Sequence, residues 1–233
     1  MGQTSGLFAA AATARPAEPR RLLETLRREL FERWPQTVER FRCELESVGG
    51  RFHRVATIAD VPAAVLTIAR EGQARRLVTW HPTAFGADLG TDLRGRDLEV
   101  ESMPAGAPAS PEGGARLRER IAGADIGVTG VDLAIAETGT LVLVSGAGRP
   151  RSTALLPPTH VAVFDRTALV ESLAQTGLVL EAWHQDEPAV GWGAAIHFIT
   201  GPSRTADIEL TLTRGVHGPR DVHAIFVDAP FRD

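Results

Sequence analysis

Residues 124–144 read Ala124-Asp125-Ile126-Gly127-Val128-Thr129-Gly130-Val131-Asp132-Leu133-Ala134-Ile135-Ala136-Glu137-Thr138-Gly139-Thr140-Leu141-Val142-Leu143-Val144. Residues 126–128 and 141–144 form short apolar runs of β type, and Asp, Glu, Thr and Gly gather at the junctions, as they do at turns. Helical spacing precedes the stretch over residues 114–122, and a helical reading of residues 131–136 makes it an alternation of helix and strand. The same rhythm runs outward: strand at 51–55, helix at 60–70, strand at 77–80, then apolar runs at 161–164, 168–176, 196–200 and 222–227. Near-continuous apolar strands separated by helices imply a mainly parallel sheet covered on both faces. The expected fold class is α/β, a three-layer α/β/α domain.

Ahead of that domain, residues 1–17 read as a disordered start. Residues 18–50 read as a helical segment packed on the domain, which then occupies residues 51–233. Leu22, Leu23, Leu26 and Leu30 recur at three- and four-residue spacing among arginines and glutamates, an amphipathic pattern. Trp34-Pro35 is expected to break that helix, a second helical segment runs to Val48, and Gly49-Gly50 closes it. Residues 102–113 and 181–193 interrupt the rhythm as surface loops. The second holds Trp183, His184, Pro188 and Trp192, which suits either a lid or aromatics anchoring a long loop to the core.

Composition narrows the chemistry. The formal net charge is −4 over 233 residues, with no clustered basic face, so nucleic acid is not an expected partner. All 25 basic residues are arginine, which excludes Schiff-base chemistry on a lysine. Cys43, the single cysteine, excludes an internal disulfide and a cysteine-ligated iron–sulfur cluster, and it is expected to be a buried or half-buried thiol. The apolar residues 7–14 are far short of the ~20 needed for a membrane span, so the cytoplasm is the expected location.

Three stretches offer candidate site residues. A carboxylate at Glu137, flanked by Thr138, Gly139 and Thr140, suits a general base or nucleophile, or else an acceptor that fixes the turn. At the end of a helix over residues 131–136 the dipole disfavours that carboxylate, and Gly139 is expected to supply a positive φ. The second stretch, Gly201-Pro202-Ser203-Arg204-Thr205-Ala206-Asp207, follows an apolar strand. There Ser203, Arg204 and Thr205 suit a small anion at a helix N-terminus, or Ser203 or Asp207 caps a helix and Arg204 makes a structural ion pair. In the third stretch, Gly215-Val216-His217-Gly218-Pro219-Arg220, His217 and Arg220 suit an anion or acid–base site. His217 and His223 make an unconvincing metal pair across a Gly-Pro turn, and residues 146–151 fail a dinucleotide fingerprint at the third glycine.

Taken together, these stretches and residues 155–163 (Leu-Leu-Pro-Pro-Thr-His-Val-Ala-Val) resemble the LUD-domain family, specifically its cluster-free lactate-utilisation protein C branch. The matching runs span roughly residues 120–228, and the N-terminal half is similar in layout. The resemblance implies a fold like the NagB/RpiA/CoA-transferase group and a role beside iron–sulfur partner proteins in oxidising L-lactate to pyruvate. It implies no cofactor in this chain, with the clusters on the partners. An alternative is a free-standing enzyme of the CoA-transferase or sugar-phosphate isomerase type, with Glu137 as nucleophile or base and Ser203, Arg204 and Arg220 holding an anionic substrate. A sensor using the same pocket without turnover is a third.

Overall fold

The computed structural model describes residues 18–96, 98–106, 108, 110–184, 192–206 and 212–231. Helix α1 (Pro19–Ser47) leads into strand β1 (Arg51–Val55), then α2 (Val61–Glu71), β2 (Arg76–Thr79), α3 (Leu89–Leu93), β3 (Glu99–Ser102), α4 (Pro111–Ala122) and β4 (Ile126–Gly130). Next come β5 (Leu133–Ile135), β6 (Thr140–Gly146), α5 (Ser152–Leu155), β7 (Thr159–Asp165), β8 (Leu169–Val170) and α6 (Leu173–His184). The chain closes with β9 (Trp192–Ile199), β10 (Arg204–Ala206), β11 (Leu212–Arg214) and β12 (Asp221–Val227).

Six strands form one parallel sheet in the order β1-β12-β7-β4-β2-β3. Its central strands are buried along nearly their whole length, which is why they read as unbroken apolar runs rather than alternating ones. Helices cover both faces. A Cβ on Gly90 of α3 would approach Thr79, the register partner of Val128, whereas a Cβ on neighbouring Gly127 would strike the Thr153 carbonyl of α5. Adjacent strand residues point to opposite faces, so α3 and α5 lie on opposite sides. The α/β class with a mainly parallel sheet is therefore as the sequence implies.

A second sheet was not expected. β8-β5-β6-β9 is four-stranded and mostly antiparallel, with β5 parallel to β8. Leu141 and Leu143 of β6 face the main core, while Leu133, Ile135, Val142 and Val170 join a smaller core with Leu26 and Leu30 of α1 and Val179 of α6. Of residues 131–136, expected to be helical, 133–135 are thus strand β5 and Ala136 starts its hairpin turn. A short apolar run between turn residues suits a buried strand as well as a helix, and pairing with β6 and β8 decides it. Residues 181–184 belong to α6 rather than a loop, Trp183 packs on the smaller core, and 185–191 lie outside the described residues.

Helix α1 also departs from expectation, running unbroken through Pro35. Its apolar stripe continues across the proline as Leu26, Leu30, Val38, Phe41 and Leu45, all buried, so packing on two cores outweighs one missing hydrogen bond. Gly49 closes the helix at φ +89°, with Gly49 N donating to Glu46 O and Gly50 N to Leu45 O, the paired bonds of a Schellman motif. Cys43 lies off the stripe and is exposed, against the expectation of burial.

Candidate functional site

The three stretches singled out in the sequence converge on the last turn of α1, at the edge of the parallel sheet where β1, β7 and β12 begin. Gly139, at φ +61°, lies so close to α1 that a Cβ would meet the backbone of Glu44 and Leu45. Gly201, at φ +72°, packs in the same way on Val48, and Arg204 donates from Nη2 to the Val48 carbonyl. That bond satisfies one of the carbonyls left over at a helix C-terminus.

Around this point the turns interlock. A chain of hydroxyls joins Thr138 to Thr140 (2.7 Å) and Thr140 to Thr200 (2.7 Å), tying the β5–β6 turn to the end of β9. Ser203 donates from its amide to Pro219 O at 2.9 Å, accepts from Gly215 N at its carbonyl, and accepts from His217 N at Oγ. Arg220 N donates to Pro158 O at 2.8 Å, and its Nε donates to Asp221 Oδ2 at 3.1 Å. His217 and Arg220 are exposed on this rim.

Glu137 is placed differently from the expectation. Its Oε2 accepts from Leu173 N, the first residue of α6, at 2.9 Å, and its own amide donates to Glu171 O. The carboxylate therefore sits at the favourable N-terminal end of a helix dipole, not at the unfavourable C-terminal end of the helix expected over 131–136. Among the described residues no hydrogen bond or ion pair joins it to Ser203, Arg204, His217 or Arg220.

Arg204 likewise opens strand β10 of a two-stranded hairpin, not a helix, because the stretch pairs in register with β11. Only the backbone of Thr205 is described, and Asp207 lies outside the described residues. The stretch also follows β9 of the second sheet, so it does not stand at the carboxyl edge of the parallel strands.

That carboxyl edge holds groups the motif reading passed over. Asp132, just beyond β4, accepts from Arg149 Nη1 (3.0 Å) at Oδ1 and from Val144 N (2.6 Å) at Oδ2. Asp165, buried at the end of β7, accepts from the amide and hydroxyl of Thr167 and from Phe231 N (2.8 Å). Arg166 follows it and lines a cavity of about 360 Å³ with Asp132, Leu26, Leu30 and Val179. Polar residues directly after apolar strands were the available signal, since ligands of parallel α/β sheets gather at that edge.

Inside the sheet the histidines serve the core. His160 is fully buried with Nε2 2.8 Å from Thr129 Oγ1, and burial, reinforced by the nearby His223, pushes it down to about 3. Burial pushes His223 down to about 4, aided by His53 and Arg51 and opposed by Asp221. Its Nδ1 lies 2.9 Å from His53 Nε2, and the rings stack. His223 is thus turned to His53, while His217 is exposed; no trio of His, Cys, Asp or Glu suited to a metal occurs among the described residues.

Comparison with known proteins adds the family. A chain from Halalkalibacterium halodurans named Lactate utilization protein C is 36% identical over 157 residues, covering 67% of this chain and 64% of its own length. Its namesake from Macrococcus caseolyticus is 35% identical over 152 residues, covering 65% of this chain and 61% of its own. The chain thus spans somewhat under two thirds of the length of these relatives. A crystal structure of a DUF162 family protein from Deinococcus radiodurans, 22% identical, superposes with a TM-score of 0.53 over 83% of this chain and 97% of that one, a likeness of fold. The LUD domain model matches residues 38–227, from within α1 to the end of β12, and the chain belongs to the LUD domain family.

Proposed function

We propose that this chain works in lactate utilisation, as an auxiliary or ligand-binding component beside iron–sulfur partner proteins that oxidise L-lactate to pyruvate in the cytoplasm. The observation that carries the reading is the similarity to relatives named Lactate utilization protein C over about two thirds of this chain. One cysteine cannot ligate a cluster, which supports a division of labour with electron transfer on partners. No described helix is long and apolar enough to cross a membrane. Glu137, held on the α6 amide, favours a structural over a nucleophilic role, and His217 and Arg220 offer an exposed rim for a small anion.

The test is complementation. In a bacterium lacking its own lactate utilization protein C, this gene is expected to restore growth on L-lactate, and cluster-bearing proteins are expected to co-purify with it. Glu137→Gln is expected to support the same growth while costing about 0.5–1 kcal/mol of stability, the share of a charge at a helix N-terminus. Lost growth with unchanged stability would move the weight to a free-standing transferase or isomerase that uses Glu137.

A further inference from the structure

The cavity at the carboxyl edge is built differently from the motif cluster. Its walls are apolar, contributed by Leu26 and Leu30 of α1, Leu133 of β5 and Val179 of α6. A volume of about 360 Å³ falls within the range of small-molecule sites, which combine apolar walls with a few placed polar groups. Three charged groups line it, and the first, Arg27 of α1, is exposed to solvent. Asp132 is already neutralised, with Arg149 on one oxygen and the Val144 amide on the other. Arg166 is not: its Nε is buried with no hydrogen-bond partner among the described residues, and its guanidinium lies 4.5 Å from the centre of the Phe31 ring. The ring stabilises the cation but offers no acceptor for its N–H groups.

We propose that this cavity binds an amphipathic monocarboxylate, with the carboxylate on Arg166 and an apolar body against Leu26, Leu30, Leu133 and Val179. A guanidinium fork donates two parallel hydrogen bonds to a carboxylate, here from its terminal Nη groups, since Nε is shut off from solvent. The apolar walls favour a head with a single charge. A phosphate dianion would carry a second charge, costly to desolvate, into them. Size selects the body, because a three-carbon acid leaves most of the apolar wall uncovered. The assignment goes beyond lactate utilisation and does not depend on it: complementation can fail while this site stands, and the reverse.

Titration calorimetry with 4-phenylbutanoate, its uncharged amide and L-lactate tests the site on the whole chain. The acid is expected to bind at least about tenfold more tightly than the amide or lactate, the factor that a charge-assisted pair supplies. Arg166→Gln is expected to weaken the acid about tenfold and leave the amide unchanged. Val179→Trp, which fills the cavity, is expected to abolish both. If either variant does not fold, Arg166→Lys and Leu30→Trp serve the same comparisons, since lysine keeps the charge but not the fork. Equal binding of acid and amide, lactate binding more tightly than the aromatic acid, no binding of the acid, or undiminished binding in the folded variants overturns the proposal.

Discussion

Gly139 sets how closely the β5–β6 turn approaches α1. Its φ of +61° costs an L-residue about 1–2 kcal/mol, and an added Cβ would run into the Leu45 backbone amide, which cannot swing aside as a side-chain tip can. Gly139→Ala is therefore expected to cost about 3 kcal/mol or more in urea unfolding. Gly95 is the control: its φ is +77°, but nothing lies within 4 Å of an added Cβ. Gly95→Ala is expected to lose only the backbone share, about 1 kcal/mol. Equal losses at the two positions would show that the close packing on α1 contributes nothing. The positive φ at Gly139 was legible from the residue type and its neighbours. The packing was not, because its partners lie far upstream in the chain and no local pattern names them.

At the scale of elements, the readings that failed were those in which tertiary pairing outvotes local preference. The helix α2 and the Gly49-Gly50 stop were legible because each carries its own signal: helical spacing, a C-terminal glycine. Residues 131–136 carried none, and the strand state of 133–135 follows from partners on both sides. Pro35 carried a breaker signal that the cores override. Since Pro35 is exposed and interrupts the ladder of α1, Pro35→Ala restores an N–H where the helix needs a donor. Proline costs about 3 kcal/mol in a helix interior, and about 1 kcal/mol of that is offset by its restriction of the unfolded chain. The variant is expected to be more stable by about 1–2 kcal/mol in thermal or urea unfolding. A loss of stability would mean that the ring itself packs, or that the helix bends at this point to reach both cores. The candidate site divides along the same line: its residues were legible as polar turns, but their gathering at the amino edge of the sheet depends on how β9 to β12 cross the molecule.

At the scale of the whole molecule, the parallel sheet is closed on both faces and admits polar side chains only where each finds a partner or stays neutral. His160 meets Thr129, and His223 meets His53 across β12 and β1. All three histidines are pushed down by burial, His160 to about 3 and His223 to about 4, so the fold resists protonating them while the unfolded chain takes up protons near 6.5. The unfolded state then binds more protons at every pH below that value, and stability falls as pH falls. Their contribution is complete above about 6.5 and is lost progressively toward the folded values near 3 and 4. Each histidine adds a slope of at most about 1.4 kcal/mol per pH unit. Carboxylates held low, such as Glu39 beside Arg42 and Asp88 under Thr91, begin to count only near their ordinary values of 4.5 and 3.8. The window from pH 6.5 to 5 therefore isolates the histidines. Urea unfolding across it is expected to show stability declining with acid, and His223→Gln, which keeps a hydrogen-bonding group toward His53 but cannot titrate, is expected to flatten the slope by about one histidine's share. A flat profile in the unsubstituted protein, or an unchanged slope in the variant, would mean that these imidazoles take up protons within the fold and that the sheet is less closed than its packing implies.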